Sequence, residues 1–236
     1  MSLREYTRQW NEQVQGKSAA DVIRFAADRV DGPVALGCSF GAEDVALVHM
    51  VTQLERKVDI FYLDTNLHFQ QTYETRDRLA QRYGCRFIQV LPALTLKEQA
   101  EQYGKSLWLR DPDACCRLRK VEPLRWILGK YKAWITGVRQ EQSPTRADTD
   151  LIEWDPVFDL VKINPLAYWN SEHVWRYIRK HDIPYNPLHD QYYPSIGCFP
   201  CTRPVKPGED LRSGRWSGFS KTECGLHQRA DTVTKK

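Results

Sequence analysis

The chain has 236 residues, of which 42% are hydrophobic and 27% charged, and a net charge of +4. That length supports one large domain or two small ones, the composition excludes intrinsic disorder, and the charge is too small for bulk nucleic-acid binding. No apolar run of about 18 residues predicts a membrane span, and the charged opening MSLREYTRQWNEQ lacks the apolar stretch of a signal peptide, so a cytoplasmic protein is expected. Seven cysteines in that setting point to metal or catalytic use rather than to disulfides.

Residues 2–30 read as two polar-faced helices, the second carrying Val22, Ile23, Phe25, Ala26 and Val30 on one side. Asp31-Gly32-Pro33 stops it. Val34–Gly37 predicts a short buried strand that runs through Cys38-Ser39-Phe40-Gly41-Ala42-Glu43-Asp44 into a helix over Val45–Leu54. The theme repeats. Val58–Leu63 reads as a strand, Asp64–His68 as a loop and Phe69–Tyr83 as a helix. Arg86–Leu91 is a third strand, followed by a helix opened by the capping box Thr95-x-x-Glu98. Cys115–Leu128 reads as helical with a kink at Pro123, and Lys132–Gly137 as a fourth strand that ends in a polar loop.

Strands alternating with helices predict an α/β fold, a parallel twisted sheet with helices on both faces. In such sheets ligands sit at the carboxyl ends of the strands, where the Ser39, Asp64 and Thr136 loops fall. Later, Leu151–Trp154 and Asp159–Ile163 read as short strands and Glu172–Lys180 as a helix with Val174, Trp175 and Ile178 inward. From Ile183 the density of Pro, Gly and Tyr predicts irregular structure that something else must tie down. No linker interrupts the chain, so one domain is expected.

The Ser39–Asp44 loop lacks the Lys-Ser/Thr of a Walker A loop, but its backbone N–H groups and the Ser39 hydroxyl suit an α-phosphate or a related anion. Cys198-x-x-Cys201, with Gly197 and Pro200 in the turn, can aim two sulfurs at one metal. The adjacent Cys115-Cys116 diverge by roughly 100° on a helix, so sharing a centre needs a bent helix start. Four such thiolates suit tetrahedral zinc or a [4Fe–4S] cluster, and spacing alone does not choose. Cys224 lies between Lys221 and His227 in a run that is not apolar. A thiolate is the reactive form and neighbouring cations favour it, which points to a nucleophile. Cys38 and Cys85 read as buried thiols. The basic stretch 110–132 suggests an anion site, with Lys120 one turn past Cys116. Arg139 and Arg146 follow the fourth strand, and Arg212 and Arg215 precede the tail.

Taken together, Cys-Cys-x-Leu-Arg-Lys (115–120), Cys198-x-x-Cys201 and Lys-Thr-Glu-Cys-Gly-Leu-His (221–227) resemble the assimilatory sulfonucleotide reductases, in particular the iron–sulfur adenylyl-sulfate (APS) reductases. Gln142-Ser-Pro-Thr-Arg146 and Pro184–Asp190 add to the likeness, which spans Ser39 to His227. The resemblance implies a fold like the adenine-nucleotide α-hydrolases, with a nucleotide-binding core over 33–165 and a cluster-binding segment and catalytic tail over 183–236. It implies a [4Fe–4S] cluster on Cys115, Cys116, Cys198 and Cys201. Cys224 would be the nucleophile, with Lys120, Arg212, Arg215 and His227 around the phosphosulfate. Ser39, Gly41, Asp44, the Leu63 backbone, Thr136, Gly137 and Arg146 would hold the nucleotide. The implied reaction reduces APS to sulfite and AMP through a Cys224 S-sulfocysteine, with thioredoxin or a glutaredoxin-like reductant as donor, in assimilatory sulfate reduction. No nucleic acid or membrane partner is implied, and a homo-oligomer stays open. One departure is Asp64-Thr65-Asn66, where relatives often have Asp-Thr-Gly; Asn also tolerates a left-handed backbone, so the turn is expected to survive. Reduction of the 3′-phosphorylated substrate (PAPS), or of both, is the nearest rival. An ATP-dependent adenylating enzyme of the same fold would carry Ser-Gly-Gly-x-Asp in the loop, and a zinc module without catalysis would leave the Cys224 motif unexplained.

Overall fold

The structure, a computed structural model, describes residues 3–221 and 223–227. Ser2, Thr222 and residues 228–236, parts of the expected first helix and tail, lie outside the described residues. Helices α1 (Leu3–Gln13) and α2 (Ala19–Arg29) lead in, and the Ser18 hydroxyl caps the second by accepting from the Asp21 N–H. Strand β1 (Val34–Gly37) feeds α3 (Ala42–Thr52), β2 (Asp59–Leu63) feeds α4 (Gln70–Tyr83), and β3 (Phe87–Val90) feeds α5 (Leu96–Tyr103). The capping box on Thr95 and Glu98 opens α5 as its spacing predicts. After α6 (Leu107–Arg110) a continuous helical run comprises α7 (Pro112–Cys116), a π-helical stretch Arg117–Val121 and α8 (Glu122–Leu128). Then come β4 (Ala133–Ile135), β5 (Ile152–Asp155), β6 (Leu160–Ile163) and α9 (Ser171–Lys180).

The kink expected at Pro123 takes the form of that π-helical stretch. A proline inside a helix has no N–H to donate and its ring crowds the carbonyl four residues back. Widening the turn just ahead of Pro123 relieves both, and such widened turns cluster at functional sites.

The strands form one six-stranded sheet in the order β3-β2-β1-β4-β6-β5. The sheet is parallel as expected apart from the edge strand β5, which runs antiparallel to β6. The link from Asp155 to Leu160 is far too short for the crossover that parallel strands need. It closes instead as a tight turn, with Asp155 Oδ1 accepting from the Val157 and Phe158 N–H groups and Asp159 in the left-handed region.

Side chains alternate across the sheet, so each face has its own core. On one face Leu36, Ile60, Ile135, Val161 and Ile163 pack with residues of α2, α3 and α9. On the other, Phe61, Val90, Trp134 and Leu160 pack with Leu124, Ile127 and Leu128 of α8. From β1 the chain moves to β2 on one side, while β4 flanks β1 on the other. That reversal opens a crevice at the carboxyl ends of β1 and β4.

Beyond Ile183 the described residues form only two 3-10 turns, Pro187–Gln191 and Phe199–Cys201. Single bridges, His68 to Cys198 and Thr202 to Arg215, attach this segment. No helix among the described residues is long and apolar enough to cross a membrane.

Candidate active site

A cavity of about 760 Å³ opens at the crevice between β1 and β4. Its floor is built by two strand-end turns. In the first, Phe40 adopts φ 62° and lodges in the core, edge-on to Tyr62 and Phe87, which leaves Gly41 to start α3. A left-handed aromatic residue is uncommon and is held here by that packing. In the second turn, the Thr136 hydroxyl donates to Asn164 Oδ1 at 2.5 Å and accepts from the Val138 N–H. The turns touch at Gly137, where a Cβ would come within 2.5 Å of Asp44 Oδ1 and 2.9 Å of the Glu43 Cβ. Only a glycine lets the start of α3 approach the end of β4 so closely.

Every residue assigned to substrate or catalysis lines this cavity. Ser39, Gly41, Asp44, Leu63, Thr136 and Gly137 are among the lining residues. So are Lys120, Arg146, Arg212, Arg215, Cys224 and His227. Two of the expected roles change in detail. The Ser39 N–H and hydroxyl both donate to Asp44 Oδ2 at 2.6 Å, so these donors serve the loop itself. The Leu63 carbonyl is bonded by the His68 imidazole at 2.9 Å. Burial pushes the Asp44 carboxyl up to about 6, against the pull of its Ser39 donors.

The basic stretch 110–132 does not act as one anion site. Arg117 pairs with Glu122, Arg110 bonds the Tyr103 and Lys105 carbonyls, and Lys130 lies over Trp126. Only Lys120 of this group lines the large cavity. Burial alone would lower its ammonium, but the sulfurs of Cys198, Cys224 and Cys116 hold it above the ordinary lysine range. Arg139 is likewise spent on Glu43 and Glu141, at 2.9 and 2.7 Å.

Cys115, Cys116, Cys198 and Cys201 line a second, much smaller cavity that shares Lys120, Arg215 and Trp216 with the first. The helix widens at Arg117, right after the adjacent pair, and both Cys115 and Cys116 line this small cavity. Gly197 makes room for the Arg215 guanidinium, which lies directly against it. The donor set fits a metal centre of thiolate ligands. Burial first, then the neighbouring cysteines, pushes Cys115 up to about 12 and Cys201 up to about 11, so these sulfurs ionise readily only when a cation compensates them. Beside them Arg119 is fully buried and donates to four uncharged acceptors: the Thr65 and Leu94 carbonyls, Gln99 Oε1 and Asn66 Oδ1. Thr65 in turn lies 3.3 Å from Cys198 Sγ. Asn66 has φ 56°, so the departure from glycine keeps its left-handed turn and gains a bond to Arg119.

Of the remaining thiols, Cys38 is buried and Cys85 only half-buried, and burial raises both. The flanks of Cys224 differ from expectation. Lys221 turns away to pair with Asp113 of α7, and burial with the nearby Arg146 holds the His227 imidazole well below its usual range, hence neutral. His227 stacks on Trp134, with centroids 5.1 Å apart and planes 12° from parallel. The lysine and arginine side chains that line the cavity with Cys224 are Lys120, Arg139, Arg146, Arg179, Arg212 and Arg215, of which Arg139 is paired with Glu43 and Glu141.

The phosphoadenosine phosphosulfate reductase domain model matches residues 33–204. The chain belongs to this family. It is 47% identical over 218 residues to an adenosine 5'-phosphosulfate reductase of Shouchella clausii, covering 92% of this chain and 90% of the relative. Bacillus subtilis adenosine 5'-phosphosulfate reductase 1 is 47% identical over 213 residues, covering 90% and 91%. Among solved structures, phosphoadenylyl-sulfate (PAPS) reductase from Candida auris, crystallised as a phosphate complex, superposes with a TM-score of 0.76 at 29% identity over 86% of this chain and 99% of that one. An FMN adenylyltransferase of Candida glabrata matches with a TM-score of 0.56 at 14% identity, covering 97% and 78%, a likeness of fold alone.

Two cavity residues of this family member, Trp134 and His189, and the neighbouring Glu223 escaped the sequence reading. Trp134 Nε1, His189 Nε2, Arg215 Nε and His227 Nδ1 are buried without a hydrogen-bond partner, and all four residues line the large cavity. Buried polar atoms of this kind are ordinarily satisfied, so they mark where a polar ligand would bind. Trp134 carried no signal, since it reads as a strand-core residue. His189 stood inside a recognised motif without an assigned task. Glu223, which bonds Arg146, sits next to Cys224 and was passed over for it.

Proposed function

We propose that the chain, acting as one sulfonucleotide reductase domain, reduces adenylyl sulfate to sulfite and AMP with a thioredoxin- or glutaredoxin-like dithiol, in cytoplasmic assimilatory sulfate reduction. The observation that carries this reading is the position of Cys224: it shares one cavity with the strand-end loops of β1 and β4 and with Lys120, Arg146, Arg212 and Arg215 among its cationic side chains. The names of the relatives at 47–49% identity support APS as the substrate.

The Cys224 thiolate attacks the sulfur of the phosphosulfate. The new S–S bond forms as the bond from sulfur to the bridging oxygen breaks, and that oxygen leaves with its electron pair on AMP. Lys120 and Arg215 neutralise the charge that develops on the leaving phosphate. One thiol of the reductant then attacks Cys224 Sγ and expels sulfite, and its second thiol resolves the mixed disulfide, restoring Cys224 and leaving an oxidised dithiol. The tail must leave the cavity for this exchange. Cys115, Cys116, Cys198 and Cys201 would hold a [4Fe–4S] cluster, which supplies a structural tie and a local charge beside Lys120 when bound. The cluster reading is supported by four thiols around one cavity next to a buried guanidinium.

The test is dithiol-dependent sulfite release from anaerobically purified protein, with APS and PAPS assayed in parallel. Release from APS is expected. Equal turnover of both would make the enzyme dual in specificity, and no sulfite from either with the cluster intact would overturn the reading.

A further inference from the structure

Glu223 precedes the nucleophile directly, and its carboxylate is the most heavily bonded group on the tail. Arg146 donates to it through Nε and Nη2 at 3.0 and 2.8 Å, a two-pronged grip. Arg212 Nη2 adds a contact at 3.3 Å, and the hydroxyls of Ser143 and Thr145 lie at 3.1 and 3.4 Å. The Glu223 side chain is only 20% exposed. Burial alone would raise this carboxyl, but Arg146, Arg212 and Ser143 hold it below the ordinary carboxylate range.

The described residues from Ser217 to His227 form bends and turns with no helix or strand, so side chains must seat this segment. Among its described residues the attachments near Cys224 include Lys221 on Asp113, Leu226 against the α8 core, His227 on Trp134, and Glu223 on its arginines. Glu223 lies one bond vector from Cys224, so its anchorage sets the thiol's position most directly. Paired arginine and carboxylate groups at such a partly buried site are geometrically specific.

We propose that Glu223 is a positioning residue for Cys224: its carboxylate, gripped by Arg146 and Arg212, seats the tail in the cavity, and breaking that grip frees the tail to meet its reductant. The proposal rests on the reading of Cys224 as the nucleophile. Arg146 and Arg212 line the same cavity as Lys120 and Arg215, so the grip and the substrate site share these two cations. Because the grip is ionic, tail docking weakens as salt rises.

The experiment uses the cluster-loaded protein and its Glu223→Gln variant, with no substrate present. Alkylation of Cys224 by the uncharged reagent iodoacetamide is followed by peptide mass spectrometry, so that the other six cysteines do not interfere. At low salt the variant should alkylate at least about 10-fold faster than wild type. Raising sodium chloride to about 0.5 M should bring wild type toward the variant, whose own rate stays flat. Glu223→Asp should recover part of the salt dependence. In single turnovers with APS, Glu223→Gln should lose rate about 10-fold with KM within about twofold, a split that loss of substrate binding would not give. If Glu223→Gln fails to retain its visible absorbance, Arg212→Gln must give the same fast, salt-insensitive alkylation. Equal Cys224 alkylation in wild type and variant at all salt concentrations would overturn the proposal. The alkylation arm needs no sulfonucleotide, so a failed sulfite assay with a normal alkylation difference would count against the function and not against the grip.

Discussion

At the scale of single residues, the site works through close approaches that leave little room for change. Replacing Cys224 by Ser keeps size and shape but removes the thiolate. Sulfite release should fall about 1,000-fold or more, while nucleotide binding and cluster absorbance persist; a variant that still turned over would exclude Cys224 as nucleophile. Gly137→Ala drives a methyl group against Asp44 and Glu43, whose own bonds to Ser39 and Arg139 resist displacement. A loss of about 1–3 kcal/mol in stability and a rise in KM are expected by denaturation and kinetics, and an unchanged variant would contradict the packing described. Asp44 carries a pH signature. Its folded-state value near 6 lies above that of an exposed aspartate, so the folded protein binds the proton more tightly. This contribution is complete below about pH 4 and is lost as pH rises through about 6. Between pH 5 and 7.5 wild type should therefore lose about 1 kcal/mol relative to Asp44→Asn in denaturant titrations, and parallel profiles would refute the assignment.

At the scale of elements, the helical run from Pro112 to Leu128 joins the two cavities. Its α7 end carries Cys115 and Cys116, its π-helical stretch carries Arg119 and Lys120, and α8 supplies Leu124 and Leu128 to the sheet core. A metal centre on these cysteines would thus be coupled to Lys120. The segment after Ile183 would depend on such a centre more than the sheet does, since its described backbone has only short turns and two single bridges. Cys198→Ser should abolish the visible cluster absorbance and expose residues 203–219 to limited proteolysis, while far-UV circular dichroism of the sheet changes little. Resistance to proteolysis without the cluster would mean that Leu188 and Trp216, both buried, hold the segment unaided.

At the scale of the whole molecule, function follows from the strand order. Placing β4 beside β1 brings loops some hundred residues apart in sequence onto one crevice, and the irregular carboxyl-terminal segment folds back to roof it. Much of this architecture was legible in the chain. Val34–Gly37 matched β1 residue for residue, the Thr95–Glu98 box opened α5, and the turn at Asn66 kept its left-handed form. These features are written in local chemistry: apolar runs, capping side chains and turn residues act over a few positions. The resemblance likewise gathered the candidate catalytic and substrate residues that line one cavity, because its motifs carry unusual cysteines and cations.

What the tertiary structure alone decided is how those groups are paired. Nothing local in Arg146 names a carboxylate 77 positions away, and nothing in Lys221 points to Asp113. Arg139, Ser39 and the basic stretch before β4 read as anion ligands, yet folding supplies most of them with internal acceptors. The edge strand β5 turned antiparallel because its connection was too short to cross the sheet. Sequence by itself determined the elements and the chemically able side chains, since both depend on neighbours along the chain. Which charges remained for a substrate was settled by contacts between distant segments, because a charge is available only after the folded protein has satisfied its own.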